Sequence, residues 1–150
     1  MQGLCCLDVQ GAAAMDLVRQ FLQQSREDPP TIAEAERDLA AAYAEKDRAD
    51  RLLGGESRHW DVARMALVDR NILRLAVWEL LNGRAPRKVV INEALRLAKE
   101  FASAESARFV NGVLDAAAKR IDAAGTDAEK LSTDSEKLGR DAGDTRDETT

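Results

Sequence analysis

At 150 residues the chain is long enough for one domain with a sizeable core. Its formal net charge is −5, yet residues 61–120 carry 11 Lys/Arg against 7 Asp/Glu, a basic middle between two acidic stretches that suits an anionic partner. No apolar run is long enough to span a membrane, Met1-Gln2-Gly3-Leu4 lacks a signal peptide's basic start, and Cys5 and Cys6 alone make neither a disulfide framework nor a zinc site, so a cytoplasmic setting is expected.

Taken in order, residues 4–9 have the apolar spacing of a helix's last turns (Leu4, Leu7, Val9), with Gly11 as a stop. Nothing before Leu4 resembles an N-cap, so this helix reads as one whose beginning is missing. From Ala12 to Gln24, Ala14, Met15, Leu17, Val18, Phe21 and Leu22 fall at helical spacing and predict an amphipathic helix. Asp28-Pro29-Pro30 breaks the chain, and Thr31-Ile32-Ala33-Glu34 has capping-box spacing with Thr31 as N-cap. The Ala-rich, charged stretch up to Gly54-Gly55 has a thin apolar stripe and predicts one long helix or two short ones. Ser57 to Met65 reads as a short helix carrying Trp60, Val62 and Met65.

From Ile72 to Leu81 only Arg74 and Glu79 are charged, which predicts a central, buried helix capped by Asp69 and stopped at Asn82-Gly83. Its two charges need internal ion pairs or an exit to the surface; otherwise they form a polar handle for a partner protein. After Pro86, the spacing of Ile91, Ala94, Leu95, Ala98 and Phe101 predicts the next helix, and Ser103 caps a last one with the stripe Val110, Val113, Leu114, Ala117, Ile121. Beyond Asp122 aromatic residues are absent and apolar ones few, so residues 122–150 are expected to be a disordered acidic tail. No segment alternates with the period of a strand. The predicted class is all-α, with residues 1–121 as the domain.

Chemistry is sparse. There is no Gly-rich phosphate loop, and His59 is a lone histidine with no second member for a metal cluster or a catalytic triad. No enzyme and no cofactor are expected. On the last helix, Glu105, Arg108, Gly112, Asp115 and Lys119 fall on one outward face with Phe109 at its edge, while Phe101, Arg96 and Lys99 end the helix before it. Aromatic rings beside cations and short polar side chains such as Ser106 and Asn111 suit single-stranded RNA, whose bases stack and whose phosphates take the cations. Phe101 and Phe109 are explained somewhat better as core, since aromatics at helical spacing usually bury, and mid-helix Gly112 as close helix packing or close approach of a ligand.

Asp69-Arg70-Asn71-Ile72-Leu73-Arg74-Leu75-Ala76-Val77-Trp78-Glu79-Leu80 is followed by Pro86, then Val89-Val90-Ile91-Asn92-Glu93-Ala94, Leu97-Ala98-Lys99, Phe101, and Phe109-Val110-Asn111-Gly112-Val113-Leu114-Asp115. This series resembles the NusB family of bacterial transcription antitermination factors over about residues 57–121, and more weakly over residues 2–56. The resemblance implies two small helical bundles of six to seven helices. It implies a protein that pairs with NusE, a small-subunit ribosomal protein, binds boxA RNA, and works with RNA polymerase in an antitermination complex, chiefly in ribosomal RNA operons. A homodimer is also compatible with it. Arg74 and Glu79 match positions that face NusE; Phe101, Glu105, Ser106, Arg108 and Phe109 match the region offered to RNA. Family members usually open with an arginine-rich helix, whose basic half has no counterpart here, and Cys5 stands where an aromatic residue is common. Two other functions fit the same residues: a NusE-binding module without appreciable RNA affinity, and an RNA-binding domain of the type fused to ribosomal RNA cytosine methyltransferases.

Overall fold

The computed structural model describes residues 1–54 and 61–141, with side chains as far as residue 125. Over these residues the chain is all-α: α1 (Gln2–Gln10), α2 (Met15–Gln23), α3 (Pro29–Ala44), α4 (Lys46–Gly54), α5 (Leu67–Leu81), α6 (Arg87–Phe101) and α7 (Ala104–Asp141), with 3₁₀ turns at Ala12–Ala14 and Val62–Arg64.

Helix α5 organises the rest, for the reason its composition gives: with almost no polar face it must be covered on every side. One side carries Ile72, Leu73, Ala76 and Val77 into a core shared with α4, α6 and α7, where Leu53, Val90, Ala98, Val110 and Leu114 are buried. The other carries Trp78, with Leu75 beside it, against Leu4 of α1 and Ala42 of α3. A third cluster, Leu7, Ala14 and Val18, joins α1 to α2. These are the two expected bundles, α1–α3 and α4–α7, with α5 common to both. Each fully buried Leu or Ile, such as Leu7, Ile72, Leu73 and Leu114, contributes about 1.5–3 kcal/mol. Gly3 marks the closest approach of α1 to its neighbours, since a Cβ there would meet Val18 at 2.9 Å and Leu39 at 3.0 Å.

Several helix ends differ from the sequence expectations. The start of α3 is capped by Asp28, whose Oδ1 accepts the Thr31 N–H at 2.8 Å, and the two prolines occupy the first helical positions. Proline lacks the N–H that would be unsatisfied there, so the pair starts the helix earlier than a cap at Thr31 would. Glu34 is thereby freed for a long-range ion pair. Asp69 is not the cap of α5 but sits in its first turn, 7% exposed, because the helix begins at Leu67. The stretch before Gly54 is two helices, parted at Glu45. Of the expected helix at Ser57–Met65, residues 57–60, with His59 and Trp60, lie outside the described residues, and Val62–Arg64 is a 3₁₀ turn. Ser103 does cap α7: its Oγ accepts the Ser106 N–H at 3.0 Å. Gly11 and Gly83 end α1 and the α5 turn at φ 78° and 58°, where a side chain would be strained.

Where the sequence predicts a disordered tail from Asp122, α7 runs on as helix to Asp141. Extending a helix that is already packed costs no new nucleus, and this stretch has no proline to stop it.

Candidate functional site

Arg74 and Glu79 are five positions apart, which turns them about 140° apart around α5. Arg74 faces inward and is 11% exposed. Its Nε and Nη2 donate to the two carboxylate oxygens of Asp50 on α4, each at 2.7 Å, and its Nη1 lies 2.9 Å from Oδ1 of Asp8 on α1. Asp8 also accepts from Arg70 Nη2 at 2.7 Å and Nε at 2.9 Å, and from Asn71 Nδ2 at 2.8 Å. Burial works against the charge on Asp8, but the bonds from Asn71, Arg74 and Arg70 outweigh it and hold the carboxyl below the usual carboxylate range. The bidentate bond that Arg74 donates to Asp50 is the largest influence holding Arg74 charged. One polar cluster therefore ties α1, α4 and α5 together.

Glu79 faces a different surface. It is half-buried and has no ion-pair partner among the described residues. Burial, then the nearby charges of Glu93 and Asp38, push its carboxyl above the usual range against the weaker pull of the Met1 amino group and Arg84. On α3, Glu34 and Asp38 both accept from Arg84 Nη2, at 3.0 and 2.6 Å. The Arg84 guanidinium carbon lies 5.7 Å from the centre of the Trp78 ring, whose buried Nε1 has no hydrogen-bond partner. Carboxylates from α3, α5 and α6 thus converge on one face, and Glu79 among them forms no ion pair with the described residues, with the Met1 amino group and Arg84 acting on it only from a distance. Such a face complements a cationic partner.

The second candidate surface is the tip of the α6–α7 hairpin. The connection at Ala102–Ser103 is so short that Phe101, Glu105, Ser106, Arg108 and Phe109 all lie within two turns of it. Phe101 closes α6 at 41% exposure. Glu105 and Arg108 are exposed, Ser106 is partly buried beside the cap, and Phe109 is partly buried against the core. Among the described residues Arg108 and Lys99 have no ion-pair partner, whereas Arg96 is bound by Glu93 and Glu100, and Lys119 by Asp115 at 2.8 Å. The tip therefore offers one exposed ring, one ring at the edge of the core and two uncommitted cations. Gly112 is exposed, and a Cβ added there would meet nothing within 4 Å, so helix packing does not account for it. Among the described residues no cluster of His, Cys, Asp or Glu is placed to hold a metal ion, and no helix is long and apolar enough to cross a membrane.

Residues 1–119 match the model of the NusB family. The chain belongs to that family. It is 38% identical over 122 residues to the transcription antitermination protein NusB of Sorangium cellulosum, covering 81% of this chain and 87% of that protein. Identity to the NusB protein of Anaeromyxobacter dehalogenans strain 2CP-1 is 40% over 119 residues, covering 79% and 84%. The fold is similar to that of Thermotoga maritima NusB (TM-score 0.70, 30% identity, covering 79% of this chain and 84% of that one). It is similar too to a chain in a crystal structure of NusB and NusE in complex with double-stranded RNA (TM-score 0.69, 25% identity, 79% and 89%).

Within this NusB-type fold the five residues expected at an RNA surface come together at the hairpin tip, while the two expected at a protein surface part company. Glu79 faces outward in part; Arg74 is the internal ion pair that the other reading of its charge predicts. Around Glu79, Asp38 and Arg84 were not singled out from sequence and Glu34 only as part of a capping box; nor were Asp8 and Asp50 around Arg74. The signal for Asp8 was present: a lone acid between Leu7 and Val9 on a helix with no other charge.

Proposed function

We propose that this chain is an RNA-binding transcription antitermination factor that pairs with NusE and binds boxA RNA, chiefly in ribosomal RNA operons, as part of an antitermination complex with RNA polymerase. The observation that carries it is the hairpin tip, where exposed Phe101 ends α6 and exposed Arg108, without an ion-pair partner among the described residues, opens α7. A ring for base stacking and an uncommitted cation for phosphate are what an unpaired RNA strand requires. In this reading Glu105 and Ser106 supply polar contacts, Phe109 a second ring edge, and Lys99 a second phosphate contact. Glu79 receives a cation from NusE. Arg74 acts on that contact as a positioning residue, by fixing α5 against α1 and α4. Residues 1–121 form the binding domain, and residues 122–150, net −5, an acidic extension outside it. The fold shared with a chain of a NusB–NusE–RNA complex supports this assignment.

A second reading, a NusE-binding module with little RNA affinity, is favoured by α1: its nine residues carry no Lys or Arg. Calorimetry with NusE, followed by titration of boxA RNA into the heterodimer at two salt concentrations, separates the two. The first reading expects tight, salt-sensitive RNA binding; the second expects NusE binding with RNA affinity no better than that of an unrelated sequence.

A further inference from the structure

Apart from these two surfaces, a groove of about 580 Å³ runs between α4 and α7 beside the end of α5. Its lining is Arg48, Arg51 and Leu52 from α4, Leu81 from α5, and Ile121, Ala124 and Gly125 from α7. On α4 and on α7 these residues stand at i, i+3 and i+4, so two parallel-sided helical ridges frame an apolar floor. Leu52, Leu81 and Ile121 remain partly exposed there, although each also packs against the core. A Cβ on Gly125 would meet nothing within 4 Å, which leaves that wall open.

The charge of the groove is one-sided. Arg48 and Arg51 are both exposed along one wall, and among the described residues no carboxylate lines it. Arg48 shares its charge with Glu45 at 3.2 Å, a partly exposed pair worth little, and Arg51 has no ion-pair partner among the described residues. Arg120 is turned inward instead, donating to the Leu52 carbonyl at 2.6 Å and so closing the end of α4 rather than meeting a ligand. Of the two acids on α4, Asp50 is consumed by Arg74, and Asp47 lies outside the groove lining, 3.9 Å from Lys46.

We propose that this groove docks an acidic amphipathic helix of a partner protein, with its apolar stripe on Leu52, Leu81 and Ile121 and its carboxylates toward Arg48 and Arg51. Apolar anchors at i, i+3 and i+4 laid between two helices are a recurrent recognition mode, and complementary charge sets the choice of partner. An apolar floor favours such a helix over nucleic acid, which would need polar or aromatic contacts beneath the cations.

The test is fluorescence anisotropy of the full chain with a labelled synthetic helix bearing Leu at i, i+4 and i+7 and Glu at the flanking positions. Two control probes are the same helix with Lys for Glu and an acidic peptide lacking the leucines, with an RNA oligonucleotide as a third. Saturable binding of the first probe, weakened tenfold or more both by Arg48→Glu with Arg51→Glu and by Ala124→Trp, is the expected result. Ala124 is exposed, so its replacement narrows the groove without removing a cation or a core contact. Circular dichroism melts confirm that both variants fold. No binding, equal binding of the leucine-free peptide or the RNA, or unchanged affinity in the folded variants would overturn the proposal.

Discussion

Asp8→Asn probes the junction between the two bundles most sharply. The change preserves shape but removes the charge that satisfies Arg70 and half of Arg74. Arg74 keeps its bidentate bond to Asp50, so its loss is partial. Arg70 keeps only a 3.1 Å bond from Nη1 to the Ala63 carbonyl. The side chains of Asp8, Arg70 and Arg74 are 13%, 17% and 11% exposed, so stranding one of these charges falls short of the roughly 3–5 kcal/mol of a fully buried pair. A loss of about 2 kcal/mol is expected. For a chain of this length that lowers the melting temperature by about 6 °C. Thermal and urea melts followed by circular dichroism would read it, with Asp16→Asn as control: Asp16 pairs with Arg19 on the surface at 84% exposure and should leave the midpoint unchanged. A drop under about 1 kcal/mol for Asp8→Asn would refute the idea that this cluster latches the bundles.

The same carboxyl predicts a pH dependence. Its folded value is depressed, so its contribution is present above the unfolded carboxylate range near 3.9 and is lost as pH falls through the folded value. Urea midpoints should therefore converge for the parent chain and Asp8→Asn at low pH; a constant gap would contradict the assignment. Glu79→Lys should abolish NusE association in a pull-down while the monomer still melts cooperatively, and unchanged capture would remove Glu79 from that surface. Because Glu79 titrates above the usual range, amid Glu93, Asp38 and Arg84, NusE affinity should fall on acidification before other carboxylates protonate. Glu79→Gln should flatten that dependence. Gly112→Ala should raise stability by up to about 1 kcal/mol, since the site is helical, exposed and open; a destabilised variant would show a packing role that the geometry denies.

What could be read from the sequence divides along physical lines. Patterns that depend on neighbours within a turn or two were legible: the nearly all-apolar α5, the Ser103 cap, the Gly83 stop, and the outward face bearing Arg108. Long-range pairing was not. Arg70 and Asp8 are 62 positions apart and Arg74 and Asp50 are 24, so only the packing of α1 and α4 on α5 reveals that Arg74 is committed inward. Competition between two adequate caps was equally opaque: Asp28 and Thr31 both suit the role, and the two prolines decide between them. The continuation of α7 to Asp141 was hidden because composition reports the lack of a core, not the ease of extending a helix already started.

RNA binding at the hairpin tip underlies the proposed function. Its most direct test is boxA RNA binding by the heterodimer with NusE, measured by anisotropy across a salt series for the parent chain and Arg108→Ala. Weaker binding by the variant is expected, with the slope of log affinity against log salt reduced by about one and an unchanged melting temperature. Equal affinity and equal slope in the two proteins would contradict it and move the RNA surface elsewhere on the fold.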